Sequence, residues 1–266
     1  MNWGKMKTLF IYLFVALNAV LLTFYIYTVQ KNKTEIVQEK EIIERSMKND
    51  NITVEENATK RDNLGYVNVT ISDLKDIRKE DSGLKYEVEN IDKTSMLKVS
   101  SENAITNVNK GSYRAELDSF LLEKMKLSAN YIFSSYNSSK NEVIFEQQID
   151  SFRVFSNKNA RIVFSVESNG DIKNFTLTSV SNIRKDKNET LVPSSQAINR
   201  LYHEDLIPKN CRVRTTLGYY TYISQTENQV LIPTWNVEIS DKDGQISNYY
   251  VDAINLNVLN RKGHSS

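Results

Sequence analysis

The sequence predicts an α+β protein: one transmembrane helix at the N-terminus, then a domain of antiparallel sheets with a few helices. Three observations predict it. Leu9 to Val29 contains no Asp, Glu, Lys, Arg or His. From Tyr131 onward, apolar and polar residues mostly alternate, the period of a half-buried strand. Tyr113–Met125 and Pro193–Tyr202 instead place apolar residues at helical spacing.

At a rise of 1.5 Å per residue, a helix over Leu9–Val29 spans about 31 Å, the thickness of a hydrocarbon core. Thr23 and Thr28 can bond back to their own helix. Trp3 near one end, with Tyr25 and Tyr27 near the other, suits the headgroup layer. A cleaved signal peptide has a shorter apolar run and a small-x-small cleavage site, and Thr28-Val29-Gln30-Lys31 offers none. Lys5 and Lys7 flank one end and Lys31, Lys33 and Lys40 the other, so charge alone leaves the orientation open. Within the span, Ala16, Ala19 and Thr23 form a small-residue stripe that admits a close partner helix. Asn18 lies on a different side and can bond across to a partner.

After the span, Ile36, Val37, Ile43 and Met47 sit among many charges, which predicts a solvated helix over Asn32–Asn51. Asp50–Asn63 reads as a polar linker. The body then opens with a strand at Tyr66–Ile71 and a short helix capped by Ser72-Asp73 and running to Lys79. The helix Tyr113–Met125 presents Leu117, Phe120, Leu121 and Met125 on one face. Strands are expected at Tyr131–Ser135, Glu142–Ile149, Phe152–Phe155, Arg161–Val166 and Phe175–Ile183. The Pro193–Tyr202 helix turns Ala197, Ile198 and Leu201 inward. Strands follow at Val213–Ser224, Val230–Ile239 and Ile246–Ala253. Ser168-Asn169-Gly170-Asp171 and Asp241-Lys242-Asp243-Gly244 read as hairpin turns. No repeat of fixed period occurs, and two strand-rich halves separated by one helix are compatible with the pattern.

The formal charge of +1, from 34 basic and 33 acidic residues, gives no support for nucleic-acid binding, which favours a basic patch or stripe, and no nucleic-acid partner is expected. One cysteine, Cys211, forbids an internal disulfide, and a half-buried structural thiol is expected. The Asn-x-Ser/Thr triplets at Asn51, Asn57, Asn68, Asn137, Asn174 and Asn188 are what an Asn-rich, Ser-rich chain produces by chance. Catalysis and metal binding find no constellation. His264 lies in a polar tail, and His203 at a helix end suits a cation favoured by the macrodipole. No Gly-rich phosphate loop occurs. No catalytic residue, metal ligand or cofactor is therefore expected. The 14 tyrosines allow a carbohydrate platform at Tyr219, Tyr220, Tyr222, Tyr249 and Tyr250, but alternating tyrosines filling a sheet face is the simpler reading.

Several segments together resemble the YycI (WalI) family. The opening Met1-Asn2-Trp3-Gly4-Lys5-Met6-Lys7-Thr8-Leu9-Phe10-Ile11 is similar to that family's start, with Asn2 in place of the usual acidic residue. Ala197-Ile198-Asn199-Arg200-Leu201-Tyr202, Leu217-Gly218-Tyr219-Tyr220, Pro233-Thr234-Trp235 and Tyr249-Tyr250-Val251-Asp252-Ala253 follow the family's order and spacing. The resemblance implies a single-pass protein of the cell membrane with a cytoplasmic N-terminus and an extracytoplasmic YycH/YycI-like domain. It implies no enzymatic activity. It implies a regulator that works with a YycH-like partner on the sensor histidine kinase WalK (YycG) of the WalK/WalR (YycG/YycF) two-component system, which controls cell-wall metabolism. Coupling would run through transmembrane helices, here at Ala16, Asn18, Ala19 and Thr23, with Tyr219, Tyr220 and Trp235 as possible surface contacts of the body. The alternative is an extracytoplasmic binding module that senses a cell-wall fragment or inhibits a peptidase. The expected organisation is a tail over 1–8, the transmembrane helix over 9–29, a juxtamembrane helix and linker over 30–63, the α+β domain over 64–260 and a disordered tail over 261–266.

Overall fold

The computed structural model describes residues 3–55, 63–75, 83–91, 94–127, 130–223, 226–260 and 264–265. The chain divides into two compact units, Met1–Thr53 and Val54–Ser266.

The first unit is dominated by one helix, α1 (Trp3–Asn49), of 47 residues. No Pro or Gly interrupts Lys5–Asn49, so nothing in the backbone breaks it. The apolar helix and the solvated helix read separately from the sequence are thus one element. Its polar side chains in the apolar part turn inward: Thr23 donates to the Ala19 carbonyl at 2.8 Å and Thr28 to the Phe24 carbonyl at 2.9 Å. The helix closes with Asn51 in the left-handed region, φ 54°. There Asn51 N–H donates to Lys48 O and Ile52 N–H to Met47 O, satisfying two terminal carbonyls. The polar linker expected from Asp50 therefore begins as a helix cap and a short strand, β1 (Thr53–Glu55). Residues 56–62 of that linker lie outside the described residues.

In the second unit the strands run in chain order as follows. The first are β2 (Asn63–Leu64), β3 (Val67–Ile71), β4 (Leu84–Ile91), β5 (Thr94–Ser101) and β6 (Thr106–Asn107). After helix α2 (Tyr113–Phe120) come β7 (Asn130–Asn137), β8 (Glu142–Ile149), β9 (Phe152–Val154), β10 (Arg161–Val166), β11 (Asp171–Leu177), β12 (Val180–Lys185) and β13 (Glu189–Thr190). Helix α3 (Ser194–His203) precedes β14 (Arg212–Tyr220), β15 (Asn228–Ser240), β16 (Ile246–Asp252) and β17 (His264–Ser265). One large sheet follows the path β12-β3-β15-β14-β9-β8-β10-β11-β5-β4, with β7 on β8, β6 on β11 and β16 on β15. Apart from the parallel pair β9–β14, the strand pairs named here are antiparallel. The fold is α+β, as the alternating pattern predicts.

The strands from β4 to β11 form one half. Val143, Phe145, Ile162, Phe164, Phe175 and Leu177 point to the face covered by α2 and the π-helical turn Leu121–Met125. Leu117, Leu121 and Met125 are buried there, as their spacing predicts. Phe145 meets Phe164 edge-on at 5.6 Å between ring centres, and Phe120 meets Phe175 at 5.8 Å. In the other half, α3 buries Ala197, Ile198 and Leu201 and packs on β15. Both hairpin turns form: Gly170 takes φ +88° and Gly244 φ +81°, which glycine adopts without strain.

Four expectations change. The strand Phe175–Ile183 is two strands, because Gln147 from β8 grips Val180 instead of leaving the ladder to continue. Its Oε1 accepts the Val180 N–H and its Nε2 donates to the Val180 carbonyl, each at 2.9 Å. The hairpin β4–β5 was not anticipated, because Lys85, Glu87, Glu89 and Lys98 dilute its apolar alternation. Of the short helix expected from Ser72, residues 72–75 are not helical, since Asp73 Oδ1 accepts the Lys75 N–H in a local turn; 76–79 lie outside the described residues. In the tail expected to be disordered, His264–Ser265 pairs with β16, and 261–263 and 266 lie outside the described residues.

Candidate functional site

Two places gather features that a packed α+β domain does not need: the apolar stretch of α1 and the seam between the two halves of the sheet.

Met6–Thr28 of α1 is, among the described residues, the one helix long and apolar enough to cross a membrane. Ala16, Asn18, Ala19 and Thr23 are all exposed along it. Asn18 Nδ2 donates to the Phe14 carbonyl at 2.7 Å, which uses one of its two amide hydrogens. With 100° per residue, Asn18 lies about 200° around the helix from Ala16, away from the small-residue stripe.

The seam is thin. β9 has three residues and pairs with β8 through Gln148–Arg153 and Ile149–Phe152. Its other side meets β14 in parallel through Gly218–Arg153 and Tyr219–Val154. Gly218 permits this approach, because a Cβ there would sit 2.4 Å from the Arg153 carbonyl oxygen and 2.5 Å from the Phe155 ring. Beside β9 lies Glu146, only 7% exposed. Its Oε1 accepts the Ser156 N–H at 2.7 Å and its Oε2 accepts the Ser134 hydroxyl at 3.0 Å. The Arg153 guanidinium lies 3.7 Å from Oε2 and donates to the Phe133 carbonyl at 3.0 Å. Burial pushes the Glu146 carboxyl above its usual range, opposed by the Ser156 N–H and by the charges of Arg153 and Arg161. A stack of rings leads outward from this point. Phe155 lies on Tyr250 at 5.6 Å, Tyr250 on Tyr220 at 4.6 Å, and Tyr220 meets Tyr222 edge-on at 6.2 Å. Burial also raises the Tyr250 phenol, with the Glu146 charge adding to it.

The surface contacts expected in the body are corrected in part. Tyr219 is 1% exposed and belongs to the core; Trp235 is 4% exposed and its indole N–H donates to the Val192 carbonyl at 2.8 Å. Strand alternation explains Tyr219, whose side is the one that carries Leu217 and Val213 inward. Of the sheet tyrosines, Tyr220 and Tyr249 are half-buried, Tyr222 is exposed and Tyr250 is buried. Cys211 is buried more fully than expected, and burial, aided by Asp241, raises its thiol. His203 ends α3 as anticipated. Among the described residues no three His, Cys, Asp or Glu side chains group as metal ligands. Glu146 and Arg153 were not singled out from the sequence, and Tyr250 was named only among the sheet tyrosines. Alternation puts Glu142 and Glu146 on the same polar face of β8, and nothing local marks which of them the seam covers.

A family profile described as YycI protein matches residues 30–254. The chain belongs to the YycI family. Membership suggests a regulatory role in the WalK/WalR system, in a family that is regulatory and not enzymatic. The single N-terminal apolar helix fits single-pass membrane anchoring. An uncharacterized protein from Eubacterium rectale is similar in structure at 9% identity and a TM-score of 0.47, with 79% of this chain and 90% of that one covered. The YpeB C-terminal domain of Bacillus megaterium is similar at 12% identity and a TM-score of 0.41, with 86% and 96% covered. No curated protein matches the chain.

Proposed function

We propose that this YycI-family chain regulates a sensor histidine kinase of the WalK type, acting with a YycH-like partner, through contacts made by α1 inside the membrane. The body lies outside the cytoplasm and docks on the partner's body. The observation that carries this reading is α1 itself: an apolar stretch over Met6–Thr28 whose exposed surface includes the stripe Ala16, Ala19 and Thr23. Small side chains let two helices approach closely, where packing supplies the association energy that hydrophobicity cannot supply in lipid. A regulator shifts the kinase only if it binds one signalling state better than the other. Replacing Ala16 and Ala19 with Leu is expected to reduce co-purification of the kinase from native membranes and to change transcription of its target genes. Unaltered co-purification together with unaltered transcription refutes the contact. The body as a sensor of wall fragments gains less support, since Tyr219 and Trp235 are core residues.

A further inference from the structure

We propose that α1 pairs with a second copy of this chain through Asn18, on a side of the helix distinct from the Ala16–Ala19–Thr23 stripe. The inference rests on Met6–Thr28 being a membrane span and not on the kinase contact. An Asn side chain carries two amide hydrogens and one carbonyl oxygen. One hydrogen is spent on the Phe14 carbonyl at 2.7 Å. The second hydrogen and Oδ1 face outward from an exposed position, between Phe14 and Leu22, four residues away on either side along the same face. In hydrocarbon no water satisfies them, and an unsatisfied amide there is unfavourable.

The choice of occupant follows from what is left over. One donor and one acceptor remain on the same group, and that pair is self-complementary. A two-fold contact between two copies lets each Asn18 donate its second hydrogen to the other's Oδ1, so both are satisfied together. A different helix would have to bring a matched donor and acceptor to the same depth. The residues beside Asn18 on this face, Phe14 and Leu22, are apolar and exposed, so they supply packing around the central pair. Asn18 lies about 160° from Ala16 and about 140° from Thr23 by the shorter way round, so self-association centred on Asn18 leaves those two residues of the stripe facing away.

The test uses the full-length chain in native membranes and reads disulfide formation after mild oxidation. The buried Cys211 makes the unsubstituted chain the background. Leu22→Cys, one turn from Asn18, is expected to give a product of twice the chain mass, and Ala16→Cys, on the far side, much less. Adding Asn18→Leu to Leu22→Cys should lower that product about 3- to 30-fold, the strength of an interhelical side-chain hydrogen bond in a membrane. Asn18→Gln, which keeps the amide, should preserve it. The proposal fails if Leu22→Cys gives no dimer, if Ala16→Cys dimerises equally, or if Asn18→Leu leaves the yield unchanged. It also fails if the Leu22→Cys product contains a different protein. None of these outcomes depends on kinase output, so the kinase reading stands or falls separately.

Discussion

At the scale of single residues, the seam depends on one carboxylate and one missing side chain. Glu146 is held by Ser156, Ser134 and Arg153, yet burial outweighs these partners and raises its carboxyl above the ordinary 4.5. A group with a raised folded value binds its proton more tightly in the native state than in the unfolded one. Its stabilising contribution is therefore complete below the unfolded value and is lost as pH rises through the folded value. Urea midpoints of the wild type should fall as pH rises above the ordinary 4.5 through the raised value, and Glu146→Gln should remove this part of the slope. Equal slopes in the two proteins would show that Glu146 is not the titrating group. Gly218 acts through space rather than charge. Alanine there meets the Arg153 carbonyl and the Phe155 ring, both at the seam, so either β9 or the ring must shift. Gly218→Ala is expected to destabilise by about 1–3 kcal/mol, as overpacking does, and a thermal melt reads it.

At the scale of elements, the hairpin turns and the two body helices were legible because each is written locally. Asn169-Gly170 forms its turn with the Gly170 N–H donating to Glu167 O at 2.8 Å, and Gly170 at φ +88°. Gly170→Ala adds a Cβ that meets the Asn109 amide at 2.5 Å and a backbone region alanine resists. A loss of about 1–3 kcal/mol is expected, measured as a lower urea midpoint with an unchanged slope. Glu142–Ile149 and Arg161–Val166 were also legible: burial alternates along Arg161–Val166, and in Glu142–Ile149 Val143, Phe145 and Ile149 mark one buried face although Glu146 on the other face is buried too. What the sequence hid is what tertiary contacts decide. The break at Thr178–Ser179 exists because a distant Gln147 side chain substitutes for a strand. Leu84–Ile91 and Thr94–Ser101 pair although charged residues occupy their outer face, where Lys98 bonds Glu89 at 2.5 Å. The same logic separates the site residues. The exposure of Ala16 and Thr23 along α1 was legible from the apolar run, whereas Tyr219 and Trp235 looked like surface aromatics until the sheet placed their faces inward. Glu146 could not be told from Glu142, because the groups around it, Ser134 of β7, Arg153 of β9, Ser156 after β9 and Tyr250 of β16, meet it only in the folded sheet.

At the scale of the whole body, the question is whether the halves flanking β9 fold together. Backbone pairing across β9 is short, but buried side chains reinforce it from several directions. Asn157 Nδ2 donates to Gln229 Oε1 at 2.8 Å, joining the segment after β9 to β15. Gln147 of β8 holds Val180 at the start of β12, and the Tyr131 hydroxyl of β7 donates to the Thr178 carbonyl at 2.8 Å. Buried polar groups torn from these partners would be left unsatisfied, so neither half can open without penalty to the other. The body should then unfold in one cooperative step. The chain has two tryptophans: Trp235 in the second half and Trp3 in α1. In a Trp3→Phe background, fluorescence reports the half built on β14–β16 alone, whereas far-UV dichroism reports both. Phe164→Ala removes a fully buried ring from the first half, far from Trp235 in the sheet order, and should destabilise by about 3–5 kcal/mol. If the sheet is one folding unit, the Trp235 transition moves by the same amount as the dichroism transition. A Trp235 transition that stays in place while the dichroism curve splits would mean that β9 joins two independently stable halves, and that the seam around Glu146 is a hinge between them.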